Sequence, residues 1–361
     1  MKTFKSLLSV ILVLLLMFSF TGCLHKQNEI AVEIANSKFS AAIYSYALMT
    51  ADGEARTKVD EQLKEAGTDT TITEVNYYSQ KIDDTDYVTW VENRAIDILA
   101  EFAAYEKLFN EAGLTINSEK LGEIDYTAQY YYNYYGADYA ANGVGYDTYR
   151  YAFIYSNYGD MYFEYLYGKD GEKAIPAEEI RKTFNDSYRV ALVLQTDITQ
   201  MDEEAIKEAK ADMEHYKSHL LKGESIVDIY NEFNGLTEES AETTGYSPAK
   251  EAKEVVSIIA DPEVDASYGV DFWADVKDIA AKDVKILEKE ENGSKYLRLF
   301  YIVDTKNDTT YLDEMDLSLR WNLKQDEYTD YIVEYAKGLD VIKHKYAMSE
   351  FKVKKIKTAN Q

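Results

Sequence analysis

His215 and His219 stand four residues apart, a spacing that on a helix brings two imidazoles together and can hold a metal ion. The segment reads His215-Tyr216-Lys217-Ser218-His219, so no Glu lies between them to serve as a zincin-type base. Lys and Glu surround the pair, and a solvated helix face without a metal is expected. His25 and His344 have no evident partner. There is no Gly-x-Ser-x-Gly and no phosphate-cradling Gly/Lys loop. Asp197, Asp202 and Asp212 lack the interleaved Asp/Asn/Gly of a calcium loop. Acidic pairs occur throughout, so no two carboxylates stand out as a glycosidase pair. No catalytic residue and no cofactor is expected, and the chain reads as a binding protein more than as an enzyme.

What remains is one thiol and 33 phenols. The thiol, Cys23, follows Lys2 and Lys5, an unbroken apolar run from Leu7 to Phe20, and the small pair Thr21-Gly22. That pattern reads as an export signal over residues 1–22. The apolar run is about 14 residues and would rise roughly 21 Å as a helix, short of the ~30 Å hydrocarbon core. The segment resembles a bacterial lipoprotein signal, with Phe20 where an aliphatic residue is more usual. The resemblance implies that Cys23 is lipidated, heads the mature chain, and holds it on the outer face of the cytoplasmic membrane. Each buried CH₂ of an acyl chain contributes ~0.8 kcal/mol, so two or three chains tether firmly. An ordinary secretory signal with an incidental Cys is the alternative.

The formal charge of −26 becomes −28 once residues 1–22, with their two lysines, are removed. This balance opposes nucleic-acid binding, which needs a basic footprint, and no nucleic-acid partner is expected. Anionic headgroups should repel the domain, so it is expected to stand off the membrane on its tether. A lone thiol excludes an intramolecular disulfide and a Cys-based metal cluster. The fold must rest on packing, for which 46% hydrophobic residues suffice. About 340 residues exceed one core and predict two domains. Only 3 Pro and 17 Gly favour helices.

The phenols concentrate between Tyr126 and Tyr167, where 15 fall within 42 residues. Tyr buries its ring while keeping its hydroxyl wet, so several will pack helix against helix. Tyr130-Tyr131-Tyr132 and Tyr134-Tyr135 must nevertheless point around a helix, and some are exposed or line a groove. Exposed rings suit apolar segments of unfolded chains and could also stack on cell-wall sugars. The candidate polypeptide-binding residues are Tyr130, Tyr131, Tyr134, Tyr135, Tyr151, Tyr155, Tyr158 and Tyr162.

These residues need positioning elements. Residues 23–36 read as lipidated Cys and tether, and 37–50 as a helix capped by Ser37. The acidic, Thr-rich stretch 51–86 reads as loop with one short helix. Three- and four-residue apolar steps from Val88 to Phe109 predict a helix over 86–112, with Asp86 as cap and Gly113 as stop. Another helix starts at Asn117 or Ser118, and Gly143-Val144-Gly145 separates it from one over 147–167. Pro176 opens a new helix, with Glu178 and Glu179 at its positive end. A strand over 189–194, helices over 202–222 and 226–233, a loop over 235–270, and strands 284–287 and 296–303 about an Asn292-Gly293 turn follow. Residues 311–345 read as helix, and 352–356 as a short apolar/basic alternation. The fold class is α+β, mainly α, with an α+β module inserted in a helical body.

Ile34-Ala35-Asn36-Ser37-Lys38-Phe39-Ser40, Gly145-Tyr146-Asp147-Thr148-Tyr149-Arg150 through Tyr167-Gly168, Pro176 to Val193, and Lys222-Gly223-Glu224-Ser225 together resemble extracytoplasmic foldase lipoproteins of the PrsA and SurA type. The family's Gly at the first turn is replaced. The resemblance covers most of residues 30–350. It implies a helical chaperone domain over 37–175, a parvulin-like module over 176–307, and a helix in 308–361 that returns to the helical domain. It implies binding of unfolded or nascent secreted proteins, with a homodimer possible.

Parvulin-type isomerases resemble one another in a His at the start of the first strand and a second on the last. Here Leu192 or a neighbour stands at the first place, and Leu297 to Val303 contains no His. The family's Gly-Gly-Asp-Leu-Gly reduces at best to Thr244-Gly245-Tyr246-Ser247. A degenerate isomerase site is therefore expected. The alternatives are an active prolyl isomerase with relocated groups, and a lipoprotein that binds cell-wall glycan or a small solute.

Overall fold

The computed structural model describes residues 27–68, 70 and 74–357. The signal segment 1–22, Cys23 and His25 lie outside the described residues. The chain is α+β, mainly α, and forms two compact units. One comprises Met1–Leu166 with Asp326–Gln361, the other Tyr167–Gln325. Sequence had placed the junctions at 175/176 and 307/308. No helix among the described residues is long and apolar enough to cross a membrane.

The first unit opens with a hairpin of β1 (Ile30–Ile34) and β2 (Ser37–Ser40). Ala35 takes the left-handed turn position, φ 53°, where the resemblance expected Gly. Residues 30–34 are not tether: Ala31, Val32 and Ile34 are fully buried because β1 is the central strand of a three-stranded sheet. Ser37 lies in β2, and Ser40 caps α1 (Ala41–Glu65) by accepting from the Ile43 N–H. Expected to stop near residue 50, α1 runs on because Ala51, Ala55 and Val59, at four-residue steps, are at most 1% exposed. The small residues made this stripe easy to miss among acids and threonines.

A two-residue ladder of β3 (Lys81–Ile82) and β4 (Thr85–Asp86) leads into α2 (Tyr87–Glu111). Asp86 stands at its N-cap without a side-chain capping bond. Val91, Ala95, Leu99 and Ala103 on α2 are completely buried. Asn117 caps α3 (Ser118–Ala141) through Lys120 N–H at 2.8 Å, and α4 (Tyr146–Tyr167) follows.

The second unit holds α5 (Ala177–Ser187), β5 (Tyr188–Asp197), α6 (Glu203–Leu221), α7 (Ile226–Phe233), α8 (Glu238–Thr244), β6 (Val256–Ala260), α9 (Trp273–Val276), β7 (Val284–Glu291) and β8 (Ser294–Ile302). The four strands form one antiparallel sheet in the order β6-β5-β8-β7. Leu192, Leu194, Leu297 and Leu299 pack on α6 and α7 through Met213, Leu220 and Ile229. Ala191, Phe300 and Ile302 meet Val276 and Ile279 on the opposite face. Further along, Tyr188 and Val190 meet Ile180 and Phe184 of α5 and Met315 and Leu319. Asn292 and Gly293, both at positive φ, make the two-residue hairpin loop. The segment expected as loop over 235–270 contains α8 and the edge strand β6, five residues flanked by prolines at 248 and 262.

The last long helix, α10, is Thr310–Lys337, not 311–345. Beyond Gly338 the chain extends as β9 (Val341–Lys343) and pairs with β1, before the short helix α11 (Lys345–Met348). The alternation at 352–356 is a single 3₁₀ turn, Val353–Lys355, anchored by the fully buried Val353.

Candidate polypeptide-binding site

Helix α3 buries only Ile124, Ala128 and Gly136, a stripe one residue wide. Tyr132 and Tyr139 are half-buried against Tyr146 and Tyr149 of α4 and Tyr46 of α1, and the other tyrosines of α3 find no core. Tyr126, Tyr130, Tyr131, Tyr134 and Tyr135 are exposed, from 43% at Tyr131 to 75% at Tyr126. The Tyr130 ring meets Tyr131 edge-on at 5.4 Å and Tyr134 at 5.1 Å, and Tyr131 reaches Phe153 of α4 at 6.2 Å. Tyr151 of α4 is exposed as well, at 54%.

Between α3 and α4 lies an open cleft of about 570 Å³. Tyr46, Tyr131, Tyr149 and Phe153 give it an aromatic wall beside Ile124, and Lys120, Glu123, Asn157 and Asp160 a polar margin. Tyr149 is buried, with its ring centre 4.7 Å from Tyr139, 5.1 Å from Phe153 and 5.5 Å from Tyr132. Burial pushes its phenol up to about 12, so it presents a neutral hydroxyl. Lys120 pairs with Glu123 at 3.3 Å, and Arg150 pairs with Asp125. The cleft offers stacking area and hydrogen bonds, and the Ser156 hydroxyl in its lining donates to Ala152 O at 3.2 Å.

Of the eight candidates, Tyr130, Tyr131, Tyr134, Tyr135 and Tyr151 are displayed to solvent, and three are not free surface. Tyr155 lies parallel to Phe102 at 5.2 Å and against Phe39 at 5.5 Å. Tyr158 is half-buried on Phe109 at 4.6 Å. Tyr162 is 7% exposed, with its hydroxyl 3.5 Å from that of Tyr331. The spacing 151, 155, 158, 162 is a core-facing helical stripe, and its inner members serve as core. The cleft wall residues Tyr46, Tyr149 and Phe153 were not singled out from sequence. The four-residue step from Tyr149 to Phe153 was the available signal.

The described histidines behave as surface groups. The His215 and His219 rings are 4.2 Å apart, and His219 Nδ1 is 2.7 Å from Glu224 Oε2. No group of three or more metal-ligating side chains occurs among the described residues. His344, expected in the last helix without a partner, directly follows β9, with Nε2 2.8 Å from Glu33 Oε1. That bond holds the Glu33 carboxyl below its usual range.

In the second unit Leu192 is fully buried among the leucines under α6 and α7. A cleft of about 580 Å³ at one end of the sheet is lined by Gln195, Phe272, Glu291, Tyr296 and Arg298. Arg298 is 4% exposed, lies over the Phe272 and Tyr296 rings at 4.9 and 5.0 Å, and donates to both Glu291 oxygens at 2.5 and 2.6 Å. Its Nε donates to Gln195. Its guanidinium is committed to the fold.

No protein-family model matches the chain, and no curated protein matches it. Solved structures do. Foldase protein PrsA from Streptococcus pneumoniae is 12% identical, with 78% of this chain and 95% of that chain covered, at a TM-score of 0.35. Foldase protein PrsA from Lactococcus lactis is 10% identical, with 90% and 99% covered, at 0.34. PrsA from Bacillus subtilis is 15% identical, with 72% and 89% covered, at 0.31. These three solved structures are all of PrsA. At these identities and TM-scores the likeness assigns no residue of this chain a role.

Proposed function

We propose that this protein is a membrane-tethered, extracytoplasmic chaperone of the foldase type that holds unfolded or nascent secreted polypeptides on the tyrosine face of α3 and in the cleft beside it. The observation that carries this reading is the exposed group Tyr130, Tyr131, Tyr134 and Tyr135 above an aromatic-walled cleft. Binding is differential: segments with exposed apolar side chains bury against the rings, and folded proteins offer none. Covering about 100 Å² on each of four rings contributes roughly 10 kcal/mol at ~25 cal/mol per Å². Association costs of roughly 4–15 kcal/mol leave weak, readily reversed binding. Weak grip suits a holder that must release its client. In this reading Cys23 carries the acyl anchor, and the sheet module is a scaffold whose isomerase site is degenerate.

The test is suppression of aggregation of a denatured, reduced client. Several-fold molar excess of the folded protein should suppress it, and the fourfold variant Tyr130→Ser/Tyr131→Ser/Tyr134→Ser/Tyr135→Ser should lose most of the effect while keeping its melting temperature. No suppression by the native protein would end the reading. A protease-coupled proline-peptide assay addresses the scaffold separately, and acceleration at micromolar protein would restore the enzymatic alternative.

A further inference from the structure

The acidic character of the chain stops abruptly near its C-terminus. Residues 341–357 contain six lysines, Lys343, Lys345, Lys352, Lys354, Lys355 and Lys357, against the single acid Glu350. All six are exposed. None sits in an ion pair among the described residues, although Lys343 lends its field to Asp97.

They are held on packed backbone. Asn142, 8% exposed, accepts from Lys357 N–H and donates to Lys357 O, each at 2.8 Å. Val353 is fully buried beneath its turn. The β9–β1 pairing sets Lys343 opposite Val32, and His344 N–H donates to Ala31 O at 2.8 Å. Lys352, Lys355 and Lys357 share an open cleft of about 320 Å³ with Gln27. Gln27 is four residues from Cys23, a span of at most about 14 Å. The lysines therefore cluster where the chain arrives from the expected anchor. Ile342 and Tyr346, 58% and 66% exposed, add apolar and amphipathic side chains to the same segment.

We propose that this patch is a docking surface for the anionic headgroups of a phospholipid bilayer, and that it seats the first unit on the membrane by the end at which β1 begins. Headgroup charge attracts juxtamembrane lysines only within about a Debye length, ~8 Å at physiological salt. A short tether keeps the patch within that range. The acidic remainder is repelled by the same surface, so one face alone is drawn down. This replaces the expectation that the whole domain stands off the membrane.

The experiment uses the full-length chain reconstituted into vesicles of phosphatidylcholine alone or mixed with phosphatidylglycerol. Amine-reactive labelling of each lysine is followed by mass spectrometry. On phosphatidylglycerol vesicles the six lysines should label at least roughly threefold more slowly, with Lys58 and Lys217 unchanged, and the protection should vanish near 1 M salt, where the screening length is ~3 Å. The variant Lys352→Glu/Lys354→Glu/Lys355→Glu/Lys357→Glu should also lose the protection at Lys343 and Lys345. Equal labelling on both vesicles overturns the proposal. So does protection by soluble polyphosphate without protection by anionic vesicles, which would make the patch a polyanion site instead of a membrane seat.

Discussion

The Tyr87 hydroxyl donates to the Asp52 carboxylate at 2.8 Å, joining α1 to α2 at a point where the two residues are 0% and 3% exposed. Arg56, one turn along α1, donates to the other Asp52 oxygen at 2.8 Å and lies over the Tyr77 ring at 4.6 Å. A buried charge is tolerated only when fully partnered, and here it has both a neutral and a cationic donor. Asp52→Ala should cost about 2–4 kcal/mol because it orphans both donors. Tyr87→Phe should cost about 1–2 kcal/mol. Urea unfolding of the two variants reads this order directly, and equal small losses would contradict it.

Arg320 plays the corresponding part in the second unit. It is 3% exposed, pairs with Asp316 at 2.7 and 2.9 Å, and donates to the carbonyls of Tyr167 and Ile175 at 3.0 and 3.4 Å. Arg320→Met should cost about 2–3 kcal/mol and speed proteolysis within residues 168–174, whose flanking carbonyls it ties down. Arg320→Lys cannot reproduce the forked geometry and should recover less than half of the loss.

Alkaline pH should unfold the protein sooner than its acidic composition suggests. Burial pushes the phenols of Tyr105 and Tyr149 up to about 12, and raises those of Tyr44, Tyr139, Tyr155 and Tyr188 further. In the unfolded chain these groups ionise near 10. The folded state thus binds more protons above pH 10. The stabilisation is complete below about pH 10 and is lost as pH climbs through the folded-state values. Melting temperature should be level from pH 7 to 9 and fall steeply from about pH 10. Absorbance titration at 295 nm should show an early wave from exposed phenols and a later one coincident with unfolding.

The eight candidate tyrosines should separate into two classes. Tyr130→Ala and Tyr134→Ala should change stability by less than about 0.5 kcal/mol, as exposed positions do. Tyr155→Ala and Tyr162→Ala should each cost about 3 kcal/mol or more, as buried aromatic truncations do. Differential scanning calorimetry of the four variants checks this. A Tyr134→Ala variant destabilised as much as Tyr155→Ala would contradict this division.

The long helices were legible because their apolar steps are large residues, as from Val91 to Phe109. The sheet module was legible in its central strands, where Leu192, Leu194, Leu297 and Leu299 alternate, and in the Asn292-Gly293 turn. Three things were not. The continuation of α1 rests on Ala51 and Ala55, whose small side chains give weak periodicity. Strand β6 is too short to distinguish from an apolar loop. Strand β9 exists only because β1 offers it an edge, which is tertiary information. For the site, consecutive tyrosines in α3 revealed that some must be exposed. Those on α4 did not, because a ring on a helical stripe has the same spacing whether it fills a core or walls a groove.

A helix that buries few of its residues detaches more readily than one that buries many. Helix α3 buries Ile124, Ala128 and Gly136 and half-buries Tyr132 and Tyr139, whereas α2 buries twelve residues, so the amides of α3 should exchange with solvent before those of α2. The exposed rings of α3 are therefore mounted on a looser shelf than α2 would give them. Whatever lies across them braces that shelf, and a guest's occupancy would be written into the exchange rates of its host.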